Sequence, residues 1–180
     1  LEGNVSIGKD CRIGPSTRIK DSNIGDRTEV QNSVVLESSI GNDTKVGPFA
    51  YIRPDSNIGS KCKVGDFVEV KNSSMGDGTK AAHLTYIGDS DVGKHVNFGC
   101  GVVTVNYDGR VKSRTKIGDF AFIGCNTNLV SPVTVEKGAY IAAGSTVTRK
   151  VPADSLLIAR AREEIKEGWA SRSGLLKKNK

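Results

Sequence analysis

The sequence predicts an all-β fold, a parallel β-helix built from hexapeptide repeats. Three observations predict it. An aliphatic residue recurs every five or six positions and is often followed by glycine. The residue four places after that anchor is usually small or β-branched, as at Cys11, Thr28, Thr44, Ala50, Ser56, Thr79, Thr85, Ala121, Thr127 and Ser145. Among 180 residues, 21 are glycine, 37% are hydrophobic with many Ile and Val, and only 6% are aromatic. Such a composition suits many short strands better than a helical bundle.

The anchors run from Ile7, Ile13 and Ile19 through Ile58, Val64, Val70, Met75, Ala81 and Ile87 to Val135, Ile141 and Val147. Taken in threes they give about eight triangular coils. Neither a helical period nor simple alternation sustains this pattern. One coil cannot bury its apolar face alone, so the core arises by stacking coils, with equivalent residues about 4.8 Å apart. Glycine is expected to supply backbone freedom at the corners.

One interval breaks the rhythm. Between the anchors Thr104 and Ile117 the chain is about seven residues too long for one hexapeptide. A loop over 105–116 is therefore extruded. It opens with the turn-forming Asn106-Tyr107-Asp108-Gly109 and continues into cations. A functional loop and a tolerated insertion are equally open on this ground alone. After Val147 the repeat stops. The β-helix domain is thus placed at 1–151 and a C-terminal arm and basic tail at 152–180. Within the arm, Val151 to Asp154 reads as a turn, Ala159 to Glu167 as a short helix ended by Gly168, and Ser171 to Lys180 as disordered.

The net charge of +6 owes much to Arg160, Arg162, Lys166, Arg172, Lys177, Lys178 and Lys180. A solvated basic tail explains this excess better than nucleic-acid binding, and an anionic small molecule is the next explanation. No apolar run approaches membrane length, and no signal-peptide pattern opens the chain. Cys11, Cys62, Cys100 and Cys125 form no CxxC pair and read as reduced cytosolic thiols. The chain opens in mid-pattern without Met, which suggests a piece of something longer.

Stacking turns the repeat into a coordinate system. Two positions after the second anchor of coils five to eight stand His83, Cys100, Cys125 and Ala143. They should form one column of roughly 14 Å, a histidine followed by small residues, which suits an extended ligand. Arg53 and Lys71 directly follow third anchors of adjacent coils. Like charges that close repel unless an anion sits between them. His95, the other histidine, has no such company and reads as a surface residue.

Several motifs go beyond the repeat: Gly47-Pro48-Phe49-Ala50-Tyr51-Ile52-Arg53-Pro54, Phe67-Val68-Glu69-Val70-Lys71, His83-Leu84-Thr85-Tyr86, Val105-Asn106-Tyr107-Asp108-Gly109, Ala142-Ala143-Gly144-Ser145-Thr146-Val147-Thr148 and Lys166-Glu167-Gly168-Trp169. In these the chain resembles, over nearly its whole length, the C-terminal acetyltransferase domain of the bifunctional enzymes that make UDP-N-acetylglucosamine. The resemblance implies a left-handed coil, a cytoplasmic homotrimer with sites between subunits, and acetyl transfer from acetyl-CoA to the amine of glucosamine-1-phosphate, with no metal. It implies His83 as the base. It implies Arg53, Lys71, Tyr86, Asn97, Asn106 and Lys112 around the sugar phosphate. Cys100, Tyr107, Cys125, Ala143 and Arg160 would line acetyl-CoA, with Lys166 and Trp169 in an arm over it. Cys100 and Cys125 stand where Ala and Ser also occur in the family, and Ala82 where Gly does. The Gly-rich loop of the uridylyltransferase domain is absent from this chain.

The chemistry is consistent with those roles. An amine attacks a thioester only after losing a proton, and a neutral histidine near pH 7 is a suitable acceptor. A backbone N–H near Cys100 would stabilise the developing oxyanion. Competing readings are a hexapeptide acyltransferase for serine, a xenobiotic or a lipid precursor, and a β-helix with a purely structural or ice-binding role. The threonines fall mainly on inward positions, against an ice-binding face. A metal-dependent β-helix hydratase needs three histidines, and the chain has 2.

Overall fold

The computed structural model describes residues 1–175. Short strands form three parallel sheets of eight, nine and eight strands, each strand pairing with its equivalent one coil away. The first anchors lie in the first sheet, the second anchors in the second and the third anchors in the third, as Met75, Ala81 and Ile87 show. Register is direct: Ile58 faces Met75, Val64 faces Ala81, and Val70 faces Ile87. From Ile19 onward the anchors are buried in one continuous core. In the first coil Ile7 stays 37% exposed, being covered on one side only by the described residues.

The small residues four places past the anchors are inward, as expected, and serve a second purpose. Their hydroxyls tie successive coils together. Thr28 donates to the Gly41 carbonyl at 2.7 Å and accepts from the Thr44 amide at 3.2 Å, and Thr44 repeats this with Gly59 and Cys62 at 2.9 and 3.1 Å. Buried hydroxyls are tolerable only when bonded in this way.

Glycine acts differently from the expectation. Many corner residues with positive φ are not glycine; Phe49, Phe67 and Leu84 have φ of 60, 55 and 45°. The glycines that follow the first anchors are required by close approach. A Cβ on Gly41 would come within 2.6 Å of the Ser60 amide nitrogen, and one on Gly118 within 2.5 Å of that of Lys137.

Two expectations about the C-terminal end need correction. The coil count is about nine rather than eight. Leu156–Leu157 adds a ninth strand to the second sheet, pairing with Tyr140–Ile141, so the coil runs past 151. That strand forms because the preceding coil offers an unpaired edge. The helix expected over Ala159–Glu167 is absent, and a four-residue helix occupies Trp169–Arg172 instead. Gly168, with φ 66°, precedes that helix rather than ending one. Ile158 and Ile165 are exposed, so a helix at 159–167 would lack an apolar face to dock, and an isolated segment that short is marginal. Of the segment expected to be disordered, Ser171 and Arg172 are helical, and residues 176–180, with Lys177, Lys178 and Lys180, lie outside those described.

Candidate active site

His83 ends the strand Lys80–His83 at the corner between the second and third sheets, and its side chain is 54% exposed. Asp66 is its register partner one coil below. The two side chains meet, with His83 Nδ1 2.7 Å from Asp66 Oδ1. Backbone hydrogen bonding, and next the bond to His83, hold the Asp66 carboxyl below the ordinary aspartate range. A carboxylate accepts only, so Nδ1 is the nitrogen that donates to it, and in the neutral ring Nε2 keeps the lone pair.

Above His83 the corner is lined by Cys100, Cys125 and Ala143. The amide of Asn126 donates to the Cys100 carbonyl and that of Gly144 to the Cys125 carbonyl, both at 2.8 Å, which sets these residues on successive rungs. Their side chains are small, with Cys125 exposed and Cys100 half-buried. At the corresponding place between the first and second sheets, the amides of Lys9 and Lys94 are capped by Asp26 and Asp119 at 2.8 and 2.7 Å. Cysteine and alanine provide no such cap. The amides of Cys100, Cys125 and Ala143 therefore have no acceptor among the described residues. Arg160 crosses the end of this groove, its Cδ close enough to meet a Cβ on Gly144 at 3.7 Å.

Arg53 and Lys71 lie on adjacent coils of the third sheet, after Ile52 and Val70, which are register partners. No anion is needed to relieve their repulsion, because each has its own carboxylate. Arg53 Nη1 is 2.7 Å from Glu69 and lies over the Tyr51 ring. Lys71 Nζ is 3.2 Å from Asp89.

Asp89 is the hub of this region. Its side chain is 5% exposed. Asn72 Nδ2 donates to it at 2.6 Å, and Asn106 Nδ2 donates to its other oxygen. Burial pushes the Asp89 carboxyl up, but the bonds from Asn72, Asn106 and Lys71 outweigh this and hold it below its ordinary value. The extruded loop is thereby fixed at both ends. Asn106 holds its start, and Arg114 binds Asp91 at 2.5 Å and the Asn72 carbonyl at 3.2 Å. Within the loop, Asp108 accepts from the Arg110 and Val111 amides, each at 2.7 Å, and Tyr107 pairs with Lys112. Tyr107 and Lys112 are exposed at its surface.

Tyr86 stands on the third sheet beside Glu69, and Asn97 on the second beside Lys80. The chain thus brings together His83 with the Cys100–Cys125–Ala143 column, and Lys71 with Asn106 through Asp89. Trp169 is 55% exposed. Lys166 pairs with Glu164 at 3.4 Å and is exposed. Asp66 and Asp89 are absent from the sequence expectations, and Glu69 enters them only within a motif, with no role assigned. Asp66 was findable: it stands two positions after the second anchor Val64, in the His83 column. Asp89 was findable in the same way: it stands two positions after the third anchor Ile87, in one column with Asn72 and Asn106. The described residues contain no group of three or more potential metal-ligating side chains.

Comparison with known proteins bears on the fold and the family. The model of the family "Bacterial transferase hexapeptide (six repeats)" matches residues 37–72 and 114–149. The Bifunctional protein GlmU of Clostridium acetobutylicum is 62% identical over 98% of this chain, and that of Acetivibrio thermocellus is 62% identical over 100% of it. The chain spans 39% of the length of each. Among solved structures, a UDP-N-acetylglucosamine acyltransferase from Campylobacter jejuni superposes with TM-score 0.57 at 18% identity, covering 87% of this chain and 68% of that one. A counterpart from Bacteroides fragilis gives 0.57 at 20% identity, covering 84% and 66%. These two show a shared fold. With its repeat, its nine-rung coil and its extensive identity to part of the GlmU proteins, the chain belongs to the bacterial hexapeptide transferase family and is homologous throughout its length to GlmU.

Proposed function

We propose that this chain is the acetyltransferase portion of a GlmU-type protein. It transfers acetyl from acetyl-CoA to the amine of glucosamine-1-phosphate, in the cytoplasm, as a homotrimer with sites between subunits. The observation that carries this reading is the His83–Asp66 pair at the foot of a groove of small residues. Asp66 holds Nδ1–H, so Nε2 is the atom that takes the amine proton. Acetyl-CoA supplies an activated acyl group. Cys100, Cys125 and Ala143 fit it because their side chains leave the groove open and their amides face it unbonded. Tyr107 on the loop and Arg160 at the end of the groove belong to the same side, and Lys166 and Trp169 to the arm that would cover it.

Arg53, Lys71, Tyr86, Asn97, Asn106 and Lys112 form the acceptor side of the proposal. Since Arg53 and Lys71 are already paired, they orient the sugar phosphate through shared hydrogen bonds more than through free charge. Release of free CoA tests the reading. The chain should release it from acetyl-CoA with glucosamine-1-phosphate, and should not turn over UTP with N-acetylglucosamine-1-phosphate. Absence of CoA release would sink the proposal. So would equal rates with serine as acceptor.

A further inference from the structure

Charge on this coil follows a simple pattern. Opposite charges meet across neighbouring coils: Arg18 with Glu2, Arg27 with Asp43, Arg53 with Glu69, Lys71 with Asp89. One column breaks the pattern. On the outer face of the second sheet, Lys45 faces Lys63 and Lys63 faces Lys80 in direct register. All three are exposed. Glu29 lies one rung below Lys45, and Asp66 three residues after Lys63, but no carboxylate of a described residue comes within ion-pair distance of any of the three. Three like charges on rungs about 4.8 Å apart oppose one another and contribute nothing to folding.

The same column changes character beyond the site. Lys80 is followed by Asn97, and then by Phe122, Tyr140 and Leu156 on successive rungs. Phe122 and Tyr140 stack with centroids 4.5 Å apart. His83 sits three residues from Lys80 on one strand, at the step between the basic and the apolar halves. The cations expected to bind phosphate, Arg53 and Lys71, are neutralised by their partners. Lys63 attracts the Asp66 carboxylate at longer range, but with none of the three lysines in an ion pair the column keeps a net positive charge leading to the His83 strand.

We propose that Lys45, Lys63 and Lys80 form an anion-collecting stripe that draws the phosphorylated acceptor to His83. The inference rests on the acetyl-transfer reading above and assigns to it a second set of residues. The stripe acts over several ångströms rather than by one fixed contact, so it raises encounter and weak binding and leaves the chemical step untouched. It acts on the acceptor side, because the basic half runs away from the groove lined by Cys100, Cys125 and Ala143.

The test is the full chain with Lys45→Gln, Lys63→Gln and Lys80→Gln combined. A control variant carries Lys9→Gln, Lys116→Gln and Lys137→Gln, the same loss of charge among exposed residues elsewhere. At low ionic strength the stripe variant should show about a tenfold higher KM for glucosamine-1-phosphate with kcat unchanged. The difference should vanish as salt shortens the screening length. KM for acetyl-CoA, KM for unphosphorylated glucosamine and the control variant should not move in this way. An unchanged KM for glucosamine-1-phosphate, or an equal effect in the control, overturns the proposal. Titration of the unmodified chain with inorganic phosphate, followed by NMR, decides the matter independently. Salt-sensitive shifts at the Lys45, Lys63 and Lys80 amides support the stripe, and their absence refutes it. If the unmodified chain does not acetylate glucosamine-1-phosphate, the reaction assignment fails, and the phosphate titration still decides the stripe.

Discussion

Replacing Asp89 by alanine removes the carboxylate on which the loop and the underlying coil converge. Its side chain is 5% exposed, and Asn72, Asn106 and Lys71 all donate to it. A hydrogen bond to a charged group is worth about 1.5–3 kcal/mol. Asn106 is buried and loses its bond outright, whereas Asn72 and Lys71 are partly exposed and regain water. Counting the last two at half weight gives about 3–6 kcal/mol, overlapping the range of about 3–5 kcal/mol for breaking a buried ion pair. In a stacked coil this loss falls first on the local unit, the loop and its two rungs. Limited trypsin digestion reads it directly. Arg114 is pinned to Asp91 and the Asn72 carbonyl, so cleavage after Arg114 requires the loop to open. Asp89→Ala should accelerate that cleavage by tenfold or more and lower the melting temperature by about 6–24 °C if the unit unfolds with the whole. The sign with pH follows from the lowered carboxyl value. The stabilisation is complete above the ordinary aspartate value of about 4 and is lost as pH falls through the lower folded value. The gap between the two proteins should therefore close only below about pH 4. An unchanged cleavage rate at Arg114, together with an unchanged melting temperature, would refute the role of Asp89 as hub.

His83→Ala should lower kcat by about a hundredfold or more, as loss of a general base does, while His95→Ala stays near neutral; equal losses would contradict the site. Asp66→Ala should lower kcat about tenfold and alter the pH–rate profile, with Asp66→Asn recovering part of the rate because its amide oxygen still accepts from Nδ1; full activity in Asp66→Ala would show that Nδ1 needs no partner. Brief alkylation followed by mass spectrometry should label exposed Cys125 before Cys62, which is buried and whose thiol burial pushes up. Bound acetyl-CoA should protect Cys125, and labelling without protection would place the groove elsewhere.

The coil was legible in the sequence because its signal is periodic. Each anchor from Ile19 to Val147 repeats one local environment, so a single spacing rule locates the core, the extruded loop and the His83–Cys100–Cys125–Ala143 column. The C-terminal end was harder to read: after Val147 the next step is only four residues, to Val151, which bridges Val135, and Leu157 follows six residues later on the open edge of the second sheet. Side-chain partnerships across coils were likewise decided only in three dimensions. Arg53 and Lys71 read as two unopposed cations in the sequence, yet Glu69 and Asp89 neutralise them. Asp89 shares its column with Asn72 and Asn106, but that both amides turn onto its carboxylate is decided by side-chain direction, which the repeat does not encode. Position along a repeat is encoded locally, residue by residue. Which charge meets which depends on side-chain reach between rungs and on how the loop closes, and no spacing rule contains that.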